Sequence, residues 1–175
     1  DAEQMAIATG KPVAILVARL TRSFTERLLG NPKKSVELTE GMFEILHRSY
    51  ALIPLMNLII VRGNALAEIG QIEDSIALIR SVIDICEKFR VPAWIGPLYN
   101  CLGYCYGEIY QIERAWKFNL KSEEIARNLL EKYPMGRRQW AHAIAQAETS
   151  IVENLLDQRK IDEAWERIKA TDQES

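Results

Sequence analysis

Only a few side chains in this sequence have the type and spacing that metal or acid–base chemistry needs. Cys101 and Cys105 lie one helical turn apart, which is the spacing of half a metal site. No second cysteine pair accompanies them and the sequence contains just two histidines, so we interpret both as small apolar core residues. His47 follows Glu44 by three residues, a common arrangement on a solvated helix face.

Carboxylate pairs give no stronger case for catalysis. Glu123 and Glu124 are adjacent, and neighbouring residues on a helix point about 100° apart, so we interpret them as a solvated face. The sequence also lacks the GxxxxGKS/T, GxGxxG, HExxH and GxSxG motifs. We therefore predict that the chain is not an enzyme and has no catalytic residue, no metal and no cofactor.

The charge of the chain is nearly balanced, with 22 basic and 24 acidic residues and a net charge of −2. Nucleic-acid binding proteins usually carry a basic excess, because neutralising phosphates supplies much of their affinity. Lys132, Arg137 and Arg138 form a small basic cluster that is either a weak phosphate patch or a solvated loop. We therefore expect a protein or peptide partner and no nucleic acid.

The distribution of apolar residues and cysteines indicates the compartment. The longest apolar run, residues 51–61, has 11 residues, whereas a membrane-spanning helix needs about 20. It predicts a buried helix and no membrane contact. Three cysteines in a chain too long to need disulfides favour a reducing compartment. We predict a cytoplasmic protein.

Four short turns recur along the chain, and each ends in a small residue. These are Ser35, Ser75, Ala115 and Ala164, separated by 40, 40 and 49 residues. After each of the first three, apolar or small residues recur at offsets of three, seven, ten and eleven, which trace one face of a helix. The pattern predicts pairs of helices. The predicted helices span residues 12–29, 33–48, 51–69, 73–89, 93–109, 113–132, 137–157 and 161–170.

The third of these helix pairs contains the clearest motif. Tyr99, Leu102, Gly103 and Tyr106 precede Ala115, and the small Gly103 permits close approach of the paired helix. This pattern resembles the tetratricopeptide repeat. The spacing of 40 residues exceeds the usual repeat of about 34. In this it resembles the variant of large bacterial ATP-dependent transcription activators and of cyclase or ATPase signalling proteins.

The resemblance implies an all-α fold, a right-handed alpha-alpha superhelix of about four helix-turn-helix repeats. Residues 1–175 would form a single array cut from a larger protein. Arg22 and Arg62 depart from the motif, since they stand in the column of Leu102. The implied segments are the tail of a preceding repeat at 1–10 and repeats at 11–50, 51–91, 92–133 and 134–175.

The resemblance also implies a concave wall, formed by the first helix of each repeat, that binds a protein or peptide. Apolar side chains would anchor the partner, and asparagine amides would bond to its extended backbone. The same side chains could instead pack against neighbouring repeats. The predicted partner-binding residues are Leu20, Phe24, Asn57, Asn64, Asn100 and Tyr104.

The predicted function is a protein-protein or protein-peptide interaction module of a multidomain signalling or transcriptional regulator. Two alternatives remain open from the sequence. The array could sense a small effector or signal peptide, or it could act structurally through self-association.

Overall fold

The computed structural model of the chain describes residues 2–8, 10–42 and 52–174. All regular secondary structure in these ranges is helical, as the periodicity predicts. A short 3-10 helix, Pro134–Gly136, precedes the eighth α-helix. The α-helices are α1 Ala2–Ala8, α2 Pro12–Leu28, α3 Pro32–Thr39, α4 Leu52–Glu68, α5 Ile72–Lys88, α6 Pro92–Glu108, α7 Ile112–Lys132, α8 Arg137–Asp157 and α9 Ile161–Glu174.

The chain divides into two compact units, residues 1–78 and 79–175. Within the first unit, α2 packs against α1, α3 and α4. Its core joins Leu16 and Leu20 of α2 to Leu58 and Val61 of α4, with Met42 between them in sequence. Within the second unit, α7 packs against α6 and α8, and α8 also contacts α9.

Turns of three residues join successive helices at five places in the described chain, 29–31, 69–71, 89–91, 109–111 and 158–160. In the first of these, the Gly30 N–H donates to the Arg27 carbonyl at 3.0 Å and the Asn31 N–H donates to the Glu26 carbonyl at 2.9 Å. These two bonds form a Schellman motif, which satisfies carbonyls that the helix end leaves unpaired. The same pair of bonds recurs in the other four turns.

The middle residue of each turn has a positive φ, which the Schellman motif requires. Glycine meets this requirement at Gly30 and Gly70, with φ of 81° and 84°. Arg90, Tyr110 and Arg159 occupy the same position with φ of 53°, 56° and 58°. An L-residue in this region costs about 1–2 kcal/mol, so packing of the flanking helices must hold these three turns.

The four small residues of the repeat pattern all lie in the core. Ser35, Ser75, Ala115 and Ala164 are all 0% exposed. Twelve residues before the first three stand other small residues, Ser23, Gly63 and Gly103. The Ser75 hydroxyl donates to the Gly63 carbonyl at 2.6 Å, and the Ser23 and Ser35 hydroxyls bond at 2.8 Å. These two small pairs therefore join one helix directly to the next.

Gly103 shows why the position must stay small. A Cβ on this residue would overlap the side-chain amide of Asn119 on α7. Nearby, the Phe118 ring stacks against Tyr99 and Tyr106, with centroids 5.9 and 5.3 Å away. The prediction that Gly103 permits close helix approach is confirmed.

The prediction of one helix over 33–48 is wrong. Helix α3 ends at Thr39, because Glu40 is extended and Gly41 has a φ of 70°. Arg62 of α4 donates to the Val36 carbonyl at 3.0 Å and to the Thr39 hydroxyl at 2.9 Å, which satisfies the end of α3. This contact also explains why Arg62 stands at the repeat position where the third helix pair has Leu102. The rest of that predicted helix, from residue 43 onward, lies outside the described residues.

A bilayer-spanning helix needs more length and apolar character than any helix in residues 2–8, 10–42 and 52–174 has.

Replacing Gly103 by alanine should destabilise the second unit. The added methyl group must displace Asn119, which costs about 1–3 kcal/mol and exceeds the gain in helix propensity. Gly107 on the same helix is a matched control, because a Cβ there meets nothing within 4 Å. Gly107→Ala should stabilise by up to about 1 kcal/mol. Urea unfolding followed by circular dichroism measures both, and equal effects of the two substitutions would contradict the packing described.

Candidate functional site

Three of the four predicted site residues of the first unit, Leu20, Phe24 and Asn57, meet along one groove between α2 and α4, called the apolar groove below. Its volume is about 400 Å³. Phe24 and Val17 line it while remaining 44% and 41% exposed, and Asn57 is exposed at its rim. Val17, Leu20 and Phe24 are separated by three and four residues on α2, and residues at these spacings share one helix face. The groove is lined chiefly by Val17, Leu20, Phe24, Ile53, Asn57 and Ile60.

Two predicted residues of this unit have a different role from the one expected. Leu20 is 7% exposed and belongs to the core, so it forms the floor of the apolar groove and is not a projecting anchor. Asn64 is half-buried and does not line the groove. Its Oδ1 is buried without a hydrogen-bond partner among the described residues.

A second groove lies in the other unit, among α6, α7 and α8, and is called the acidic groove below. Its volume is about 290 Å³. The predicted residue Tyr104 lines it and is half-buried. The predicted partner-binding residues do not include its carboxylates, of which Glu108 lies on α6 and both Glu153 and Asp157 lie on α8. The groove is lined chiefly by Tyr104, Glu108, Asn119, Ser150, Glu153, Asn154 and Asp157.

Asn100 lies behind the acidic groove and its amide is used within the protein. The Asn100 Nδ2 donates to Asn119 Oδ1 and to Ser150 Oγ, both at 3.1 Å. Asn119 in turn donates to Asn154 Oδ1 at 2.9 Å. The predicted role of Asn100 as a donor to a partner's backbone is therefore wrong, since both of its amide hydrogens are engaged. It orients two residues that line the groove.

Glu153 stands out among the groove carboxylates. Desolvation by the groove walls and, next, repulsion from Asp157 raise the pKa of the Glu153 carboxyl above its ordinary value. Desolvation and a like charge both disfavour the ionised form. The ionised form of Glu153 is therefore less favourable in the folded chain than in the unfolded chain.

A separate cluster of charges lies between α7, α8 and α9. Glu123 and Glu148 are 7% and 4% exposed. Arg127 donates to Glu123 at 2.7 Å and to Glu148 at 2.6 Å. Arg167 of α9 pairs with both carboxylates, and the Thr171 hydroxyl donates to Glu148. The carboxylates are thus held by arginines on neighbouring helices, and their chemistry is structural.

This cluster corrects one sequence interpretation. Glu124 is exposed as expected, but its neighbour Glu123 is buried and is not part of a solvated face. The sequence does contain a signal for this cluster. Glu123 and Arg127 are four residues apart on one helix, a spacing at which opposite charges pair, and Arg167 lies three residues after Ala164, the small residue of the last turn.

The other candidates for chemistry are ordinary core or surface residues, or are not described. Cys86, Cys101 and Cys105 are buried as free thiols, and burial raises the pKa of the Cys86 thiol, which disfavours the reactive thiolate. Over the described ranges, no group of three or more metal-ligating side chains converges. His47 and Glu44 lie outside the described residues.

Comparison of the chain with models of known protein families and with curated protein sequences finds no match.

Neutralising Glu123 should cost far more stability than neutralising its neighbour. Glu123→Gln leaves two arginines with a single buried carboxylate, which should lower the free energy of unfolding by about 2 kcal/mol or more. Glu124→Gln is the matched control, and at an exposed position its effect should stay within about 0.5 kcal/mol. Chemical denaturation measures both. Similar losses for the two variants would contradict the structural role of the cluster.

Glu153→Gln should raise the melting temperature at neutral pH. A raised pKa means that the folded state binds the proton more tightly than the unfolded state, so this contribution to stability is present at low pH. It is lost as the pH rises through the folded-state pKa, and glutamine removes that loss. The melting temperature of Glu153→Gln should therefore exceed that of the parent at pH 7, and the two should coincide below about pH 4. Scanning calorimetry across this range checks it, and a destabilised variant at pH 7 would be inconsistent.

Proposed function

We propose that this chain is a protein-interaction module that holds an apolar segment of another protein or peptide in the apolar groove. The observation that carries the proposal is the pair Val17 and Phe24, which stay 41% and 44% exposed beside a floor that is already packed. Apolar side chains that stay exposed around one concave surface form a contiguous patch of the kind that marks interaction sites.

The dimensions of the apolar groove suit a short segment of a partner. Its volume of about 400 Å³ lies within the range of preformed ligand sites. Phe24 offers a rigid aromatic surface, a residue class that contributes much of the energy in protein interfaces. Asn57 lies at the rim, where its amide can donate to and accept from the backbone of an extended peptide.

The proposal includes a tetratricopeptide-like right-handed superhelix as the scaffold. Two features support this architecture. Three-residue turns of one type recur between helices, and small residues stand twelve positions apart in three helix pairs, two of which are joined by hydrogen bonds at these residues. Repeat arrays of this kind commonly present extended binding surfaces.

The biological setting we propose is a cytoplasmic signalling or transcriptional regulator. Three buried free thiols support a reducing compartment. The regulatory context comes from the resemblance of the long repeat to those of large transcription activators and cyclase or ATPase signalling proteins.

Selection from a library of random linear peptides displayed on phage should enrich sequences with aromatic or aliphatic anchors. Affinity of a selected peptide is then measured by fluorescence polarisation. Phe24→Gln should weaken binding about tenfold or more, because an aromatic residue at the centre of an interface is a frequent hot spot.

Leu28→Gln is the matched control, since Leu28 is 65% exposed on the same helix but does not line the groove. The Leu28→Gln variant should bind the selected peptide as tightly as the parent does. The proposal fails if Phe24→Gln binds the peptide as well as the parent does. It also fails if light scattering across a dilution series shows that the chain dimerises through Phe24, which would make a second copy the occupant.

A further inference from the structure

The apolar groove has an uncharged surface. No charged side chain lines it in the part of the chain that the structure describes. Its polar lining residues are Thr21 and Asn57, and its floor, Leu20 and Val61, is only 7% and 6% exposed. An ion placed against such a surface loses its hydration and gains no counter-charge. The face of the partner that enters the groove is therefore apolar and uncharged.

The groove also offers few hydrogen bonds to the backbone of a partner. The Thr21 hydroxyl donates to the Val17 carbonyl at 3.0 Å, so its hydrogen is used within α2. Asn57 supplies the one side-chain amide among the described lining residues, and this amide can serve about one residue of a peptide. Every residue of an extended segment brings an N–H and a C=O that need partners when they are buried. A helix pairs these groups within itself.

The side chains of both walls recur at the spacing of helix turns. Val17 and Phe24 on α2, and Ile53 and Ile60 on α4, stand seven residues apart, which is about 10 Å along a helix. Asn57 stands between the two isoleucines, one turn from each. Side chains on one face of a bound helix follow at the same interval of about 5 Å, whereas those on one face of a strand follow at about 6.6 Å. The walls therefore match the side chains of a helix packed between them.

We infer that the partner segment in the apolar groove is an amphipathic helix, whose buried face carries uncharged apolar residues at positions i, i+3 or i+4, and i+7. The uncharged lining complements that face, and the charged residues of the opposite face stay in water. Asn57, at the rim, bonds to the backbone where the bound helix ends and leaves groups unpaired. This inference rests on the proposed function, because it states the conformation of the segment that the groove holds.

Peptides selected on the full chain by phage display test the inference, at a length of about 16 residues that allows an amphipathic helix. The selected sequences should repeat aliphatic or aromatic residues three and four positions apart, with no charge among them. One selected peptide, labelled with carbon-13, is then observed by nuclear magnetic resonance with the chain. Its Cα signals should move to higher chemical shift on binding, the direction of a helix. Movement to lower chemical shift, the direction of a strand, overturns the inference.

Proline substitutions in the same peptide give a second test. Proline at an outward-facing position in the middle of the bound segment should weaken binding about a hundredfold, because it removes a helix hydrogen bond and clashes with the preceding turn. Proline at the first residue of that segment is the matched control and should leave the affinity unchanged, since a helix accepts proline there. Fluorescence polarisation measures both peptides. Equal affinity of the two overturns the inference.

A charge added to the wall of the groove gives a third test. Ile53 is 63% exposed near the start of α4, so Ile53→Asp spares the core and suits the helix end. This variant should bind the selected peptide about tenfold more weakly, because the new carboxylate is desolvated by the apolar face of the helix. Leu28→Asp adds the same charge outside the groove, at a residue that is 65% exposed, and should bind like the parent. Equal affinity of the two variants overturns the inference.

The Phe24→Gln variant separates this inference from the proposed function. When the selected peptide binds the parent more tightly than Phe24→Gln but is extended, the groove does hold a partner and the helical inference alone fails. When Phe24→Gln binds the peptide as well as the parent does, or no peptide is selected, the proposed function fails and the inference fails with it.

Discussion

The close approach of paired helices at small residues is the constraint on which the rest of the structure depends. Ser23 bonds to Ser35, the Ser75 hydroxyl donates to the Gly63 carbonyl, and Gly103 leaves no room for a Cβ beside Asn119. These contacts fix the offset between the two helices of each pair. Bulky residues must then pack on either side of the crossing, as Phe118 does between two tyrosine rings. The grooves follow from this geometry, since side chains that point away from the crossing remain available.

The two grooves differ because of the residues that their helices present, and not because of the scaffold. In the first unit the available face of α2 carries Val17 and Phe24, so the groove is apolar. In the second unit the corresponding helices carry Glu108, Glu153 and Asp157, so the groove is acidic. Buried polar contacts are also distributed differently. An asparagine chain supports the acidic groove, whereas Leu20 and its core neighbours support the apolar one.

Features that depend on local pattern could be predicted from the sequence, and features that depend on contacts between helices could not. The recurrence of small residues predicts the buried positions Ser75 and Ala115, since each repeated helix pair contains the same kind of contact. Helix α3 ends at Thr39 because Glu40 is extended and Gly41 has a positive φ, and Arg62 of another helix then bonds to this end, so the apolar periodicity alone predicts a helix that is too long. Glu123 is buried because Arg127 and Arg167 reach it, which no property of the Glu123–Glu124 pair indicates. For the same reason Phe24 and Asn57 could be assigned to a groove, but the internal role of Asn100 could not.

The turn residues give the two units different folding requirements. In the first unit every described residue with positive φ is glycine, at positions 10, 30, 41 and 70, so these bends form at little local cost. In the second unit the equivalent residues are Arg90, Tyr110 and Arg159, which resist that conformation until neighbouring helices dock. The glycine turns of the first unit therefore carry no such local cost, whereas each of the three turns of the second unit depends on the docking of its flanking helices to offset about 1–2 kcal/mol.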